Sequence, residues 1–321
     1  MFTNRKALVV GINEYNGEIR NLRGCINDAK AIQEVLKEHD NGDDNFFVER
    51  KSNLSTFNFK KEIEWILKGE KGEYEIALIY FSGHGFITDE GGYLVSSNAN
   101  KREIGISMGE LNQQISKSNI PEIVVILDCC HADAMACELE ENMQIAQLRK
   151  GVSIMAATRY KDVAIESKGR GIFTASIVEG LSGGAADFDG YVTAASLYHH
   201  TDNDFSPKQQ RPVYKSYTDN MKPLRKCASP YPKETLKKIA LPVYSELTKK
   251  GMQLSTSMIP ESECEEGISK KYLELSIFEK AGLIRFDSQN TLIQAVFREE
   301  KAYLSLKGEI YLQRLKKENK Q

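Results

Sequence analysis

Three runs of the chain are apolar without polar alternation, Ala7–Val10, Ile76–Phe81 and Ile123–Leu127, and Val152–Ala157 is apolar but for Ser153. Such runs predict strands buried on both faces of a parallel sheet, and Phe46–Glu49 reads as a further strand beside them. Helical periodicity fills the gaps. Residues 27–36 place Ile32, Val35 and Leu36 on one face, with Asn27 or Asp28 as N-cap, and Phe59, Ile63, Ile66 and Leu67 form an inward stripe over residues 59–67. A helix within 104–118 points Leu111 and Ile115 inward, another spans 171–181, and a turn at 189–193 leads into a helix towards His199 and His200. Strands alternating with helices predict right-handed crossovers and an α/β fold, a mostly parallel sheet with helices on both faces. Residues 131–150 break the pattern, being polar with Glu138, Glu140 and Glu141 in the middle, and read as an exposed insert between strands.

After residue 206 the pattern loosens, and Pro223, Pro230 and Pro232 mark a linker. The predicted domains are therefore 1–225 and 226–321. The second reads as a helix over 272–282 closed by Gly282, short strands at 283–286 and 302–306, and a final helix over 307–317. Helix, strand, long turn, strand, helix resembles a winged helix-turn-helix, so this module is expected to be a small regulatory or interaction domain.

Composition narrows the class without naming a partner. Over 321 residues, 41% hydrophobic and 27% charged content fits an ordinary globular protein, and a net charge of −2 predicts no polyanionic partner. No run approaches the ~20 apolar residues of a membrane span, and Asn13-Glu14 interrupts the first apolar stretch before a signal-peptide core forms. The six cysteines (25, 129, 130, 137, 227 and 264) are irregularly spaced, which predicts reduced thiols and a cytoplasmic protein.

The chemistry lies where two apolar runs stop. One ends at Asp128-Cys129-Cys130-His131, the other at Ser82-Gly83-His84-Gly85, and catalytic groups in such sheets sit at the carboxyl ends of the strands. If the two strands are parallel neighbours, Cys130 and His84 pair, with the imidazole as the base that makes the thiol a nucleophile. Gly83 permits a sharp exit from the strand, and the N–H of Gly85 with that of Cys130 could form an oxyanion hole. A zinc site built from Cys129, Cys130, His131 and His84 is disfavoured, because adjacent residues of an extended chain face opposite ways. The expected metal content of the site is none.

Tyr80-Phe81-Ser82-Gly83-His84-Gly85 together with Asp128-Cys129-Cys130-His131 resembles the caspase-like cysteine peptidases of the C14 type, in their metacaspase and bacterial orthocaspase branch. The resemblance extends to residues 8–13, 22–29 and 171–174 and covers roughly 5–220. It implies a caspase-like (caspase-hemoglobinase) fold, Cys130 as nucleophile and His84 as general base. It also implies an acidic S1 pocket from Asp28 and Asp128 with Ser82 nearby, hence cleavage after Arg over Lys and not after Asp. Two carboxylates would hold a guanidinium through charge-assisted, bidentate hydrogen bonds. Further implications are autoprocessing at Arg149 or Lys150, calcium activation, a protein substrate and a monomer acting in bacterial defence or cell death. The chemistry itself requires no cofactor. No calcium ligand set is matched, and Asp40, Asp43 and Asp44 read equally as a solvated turn; Ala132-Asp133 replace the small residues usual after His131. Two other classes remain open: a scaffold on a caspase fold with little turnover, and a DNA-binding regulator acting through residues 226–321. Arg314, Lys316 and Lys317 read as a solvated face, so nucleic acid is the weaker of these. A regulatory protein bound by residues 226–321 is the other expected partner.

Overall fold

The unalternated apolar runs become the centre of one sheet. The protein is described from a computed structural model over residues 3–89, 91–129, 148–157, 166–167, 170–205, 211–229, 231–248, 250–259, 269–288 and 291–318. It divides into two units, Met1–Ala228 and Ser229–Gln321. In the first, β1 (Arg5–Gly11), β2 (Phe47–Ser52), β3 (Ile76–Gly83), β7 (Glu122–Cys129), β8 (Val152–Ala156) and β12 (Val213–Tyr217) form a six-stranded sheet in the order β12-β8-β7-β3-β1-β2. All neighbours are parallel except β12, which pairs antiparallel with β8. β12 has no apolar run to betray it; as an antiparallel edge strand its residues are half-buried or exposed.

Each helix buries its stripe against one face. α1 (Cys25–Lys37), α4 (Ile172–Glu179) and α5 (Ala194–Asp204) share a core with Val9, Leu78, Val124 and Ile126. α2 (Thr56–Leu67) and α3 (Met108–Lys117) share the other with Leu8, Ile79, Val125 and Leu127. The period of two along the strands sends alternate residues to the two layers. α2 begins three residues before the predicted Phe59, because Ser55 caps it by accepting the Asn58 N–H. α1 likewise starts early, at Cys25 after Gly24. Asp28 already sits in its first turn, its N–H donating to the Gly24 carbonyl, so neither Asn27 nor Asp28 is the N-cap. Between β3 and α3 lies an unpredicted antiparallel sheet, β4 (Gly85–Thr88), β5 (Gly91–Val95) and β6 (Gly105–Ser107). Shorter strands, β9 (Glu166–Ser167) with β10 (Arg170–Gly171) and β11 (Tyr191–Val192) with β13 (Arg225–Lys226), complete the unit.

The second unit contains a three-stranded antiparallel sheet of Met252–Gln253, Lys301–Leu304 and Ile284–Phe286. Its helices include Lys270–Lys280, Leu292–Phe297 and Leu306–Glu318. Gly282, at φ +69°, ends the first of these: its N–H reaches the Glu279 carbonyl while that of Leu283 reaches Phe278.

Candidate active site

β3 and β7 are parallel neighbours and end together, with Ser82 opposite Asp128 and Gly83 opposite Cys129. His84 follows directly. Its Nε2 lies 2.7 Å from the Arg20 carbonyl oxygen, and since a carbonyl only accepts, Nε2 carries the proton and Nδ1 is the basic nitrogen. The loop after β1 grips the residue twice more: the His84 backbone N–H donates to the Tyr15 hydroxyl at 2.8 Å, and the two rings pack at 4.7 Å. Gly83 is needed for room and not for a sharp exit. Its φ is not positive, and a Cβ there would come within 2.7 Å of the Tyr15 hydroxyl and 2.6 Å of the Phe81 ring. Gly85 opens β4 opposite Leu94, and the Val95 N–H donates to the His84 carbonyl.

Cys130 and His131 lie outside the described residues, as do Ala132-Asp133, the acidic stretch 138–141, Cys137 and Cys264. Cys129 is fully buried in the layer with Leu127 and Phe81, as expected of a packed thiol.

The structure brings Asp28, Asp128 and Ser82 together from three elements on the α1/α4 side of the sheet. All are buried, at 2%, 1% and 0% exposure. Ser82 Oγ donates to Asp28 Oδ2 at 3.4 Å, the Gly171 N–H donates to Asp28 Oδ1 at 3.3 Å, and Thr174 Oγ1 donates to Asp128 Oδ2 at 2.6 Å. Both carboxylates converge on Gly171: a Cβ built there would lie 2.8 Å from Asp128 Oδ2 and 3.5 Å from Asp28 Oδ2. Tyr80, 2.5 Å from Thr174 Oγ1, completes the group. Burial first, then the Asp128 and Asp28 charges, pushes its phenol well above the ordinary range, so it is a neutral donor. Sequence reasoning missed the parts of Tyr80 and Thr174. The available signal was a hydroxyl within each of two motifs that run otherwise into apolar core.

Arg149 and Lys150 are held by the fold just before β8. The Arg149 guanidinium donates to the Ser118 and Ile120 carbonyls, and burial lowers its pKa. Lys150 is ion-paired with Asp219 at the surface. Asp40 pairs with Arg225 at 2.7 Å and Asp43 accepts from Asn41, which makes that acidic turn part of the local framework. Among the described residues, Glu179, His200 and Asp204 bring potential ligand atoms within 4.8 Å of one another. Asp204 there accepts from Ser176 and lies 3.7 Å from His200 Nε2. No helix among the described residues is long and apolar enough to cross a membrane.

A histidine just after one strand, an acid at the end of its parallel neighbour and a second acid from α1 thus meet at one edge of an α/β sheet. A family model for the caspase domain, peptidase C14 type, matches residues 4–222. The chain belongs to that family. It is 33% identical over 87 residues to a metacaspase-1 of Mycosarcoma maydis, covering 25% of this chain and 21% of that protein. A metacaspase-1 of Debaryomyces hansenii is 32% identical over 93 residues, 27% of this chain and 21% of the relative. The matched segment thus spans about a fifth of the length of each relative. The crystal structure of caspase-1 from Spodoptera frugiperda superposes with a TM-score of 0.52 at 16% identity, covering 71% of this chain and 92% of that one. That likeness bears out the caspase-like fold, and the family match bears out the peptidase C14 resemblance.

Proposed function

We infer that the chain is a cysteine endopeptidase that cleaves proteins after Arg, in preference to Lys, through Cys130 and His84. One observation carries the reading: Gly83 stands opposite Cys129 where two parallel strands end, and two buried carboxylates meet beside that point. Cys130 is the residue that follows Cys129 in the chain. His84 Nδ1 accepts the thiol proton, and the thiolate attacks the carbonyl carbon of the basic residue. Collapse of the tetrahedral adduct breaks the C–N bond, His84 returns its proton to the leaving amine, and the thioester is hydrolysed by water that His84 deprotonates. Backbone N–H groups of Gly85 and Cys130 stabilise the oxyanion. Asp28 and Asp128 supply the negative charge that a guanidinium matches and a P1 carboxylate repels. Arg149, held by two carbonyls, must leave them to serve as an autoprocessing P1 residue; Lys150 at the surface is the more accessible of the two.

The test is hydrolysis of fluorogenic peptides with Arg, Lys or Asp at P1, with and without calcium, by wild type and Cys130→Ala. Arg cleavage lost in Cys130→Ala is the expected result. Cleavage after Asp overturns the acidic pocket, and no turnover by the whole chain or by a form lacking residues 229–321 overturns the peptidase.

A further inference from the structure

Bond cleavage uses neither Tyr80 nor Thr174, yet both hydroxyls are buried against the acidic pair. Thr174 spends its one proton on Asp128 Oδ2, so its oxygen must accept from Tyr80, and the relay runs from the phenol through Thr174 to the carboxylate. Both ends are fixed. Tyr80 is fully buried on β3 opposite Ile126, and Thr174 is fully buried in the first turn of α4. Gly171 supplies an independent observation. Its φ of −66° and ψ of 136° suit any residue, so what opposes a side chain there is the Asp128 carboxylate, 2.8 Å from the position of a Cβ, with Asp28 in contact at 3.5 Å.

We propose that Tyr80 and Thr174 are positioning residues that set the preference for Arg over Lys at P1, an inference that rests on the peptidase reading above. A carboxylate at the end of an aspartate turns about one torsion. Thr174, bonded to Oδ2, fixes that torsion and hence the plane of the carboxylate. The guanidinium fork is planar and needs an acceptor plane of matching orientation, whereas an ammonium is a point charge that tolerates any. Freeing the plane therefore costs Arg more than Lys. The acidic charge alone selects basic residues; the relay chooses between them.

The experiment measures kcat and KM on matched Arg and Lys peptides for wild type, Thr174→Val, Thr174→Ser and Tyr80→Phe. The rate at which iodoacetamide labels Cys130, followed by peptide mass, is read alongside. Thr174→Val is expected to lose roughly 10- to 100-fold in kcat/KM for Arg, the range of one hydrogen bond to a charged group. The loss should fall chiefly in KM, Lys should lose less, and Cys130 labelling should hold. Thr174→Ser restores the Arg-to-Lys ratio, and Tyr80→Phe lowers it in the same direction by a smaller factor. Equal losses for Arg and Lys, a loss confined to kcat, or no rescue by Ser overturns the proposal. Should Thr174→Val fail to fold, Tyr80→Phe decides alone, because an unchanged ratio there also overturns the relay. A wild type that prefers Arg with the ratio intact in the variants defeats the relay only. A wild type that cleaves after no basic residue defeats the functional reading and the relay with it.

Discussion

The two ends of the central sheet both bury charge, and they do it in opposite ways. At the amino ends, opposite charges and carbonyls interleave. Arg5, 8% exposed, pairs with Glu75 and donates to Asn45 and to the Pro223 and Leu224 carbonyls. Lys6, 2% exposed, donates to the Trp65 and Lys68 carbonyls at the end of α2, with its ammonium 4.1 Å from the centre of the Tyr74 ring. Glu122 accepts from the Lys222 backbone, and Lys222 Nζ reaches Glu75. At the carboxyl ends, two like charges are brought to one point and steadied by hydroxyl and backbone N–H donors. Charge arranged to cancel ties distant segments together; charge of one sign gathered at a point favours an ion of the other sign. The first arrangement serves stability, and the second is the one we propose for binding a basic P1 residue.

Substitutions at the two ends should accordingly separate into different measurements. Arg5→Met takes the donor from buried Asn45 Oδ1 and from the Leu224 carbonyl and removes a positive charge near buried Glu122, and is expected to cost about 2–4 kcal/mol in chemical unfolding. Its kcat/KM, measured where the variant is folded, should match wild type; a fall in both would erase the contrast. Asp128→Asn, at the other end, should lower kcat/KM for Arg peptides roughly 100-fold with Cys130 labelling retained. Gly171→Ala sharpens the picture further. Its methyl would crowd Asp128, so KM for Arg is expected to rise about tenfold, the loss of one good polar contact, with little change in melting temperature.

The smallest effect concerns Glu122, whose pKa burial raises against the opposing pull of the Lys222 N–H, Lys222 and Arg5. Its folded-state proton is held more tightly than the unfolded one, so this residue favours the fold at acid pH. That contribution is lost as pH rises from the unfolded value near 4.5 through the raised folded value. Glu122→Gln should flatten that slope in melting temperatures taken between pH 4 and 8, and an unaltered slope would refute the assignment.

What the sequence disclosed divides along similar lines. Strands buried on both faces announce themselves, and so does the meeting of Ser82 with Asp128, because two apolar runs end in polar motifs. β4 to β6 were silent, being three to five residues long, glycine-containing and partly exposed. Asp28 misleads as a cap because an acid early in a helix has two explanations, and only burial beside Gly171 chooses between them. Tyr15 and Arg20 gave no signal at all, since a carbonyl and a hydroxyl in an irregular loop carry no periodicity. Arg5 and Lys6 lie just ahead of the apolar run that starts at Ala7, and their burial comes from carbonyls far away in the chain.

The distance in sequence between the members of the relay also orders events in time. Tyr80 and Thr174 are 94 residues apart, and ribosomes add roughly 5–20 residues per second. For about 5–20 s after Tyr80 is made, and until β7 and α4 have docked, a growing chain holds His84 without the hydroxyl that steadies Asp128. Under the relay proposed above, the choice between Arg and Lys is completed only after His84 and Cys130 are both already in the chain.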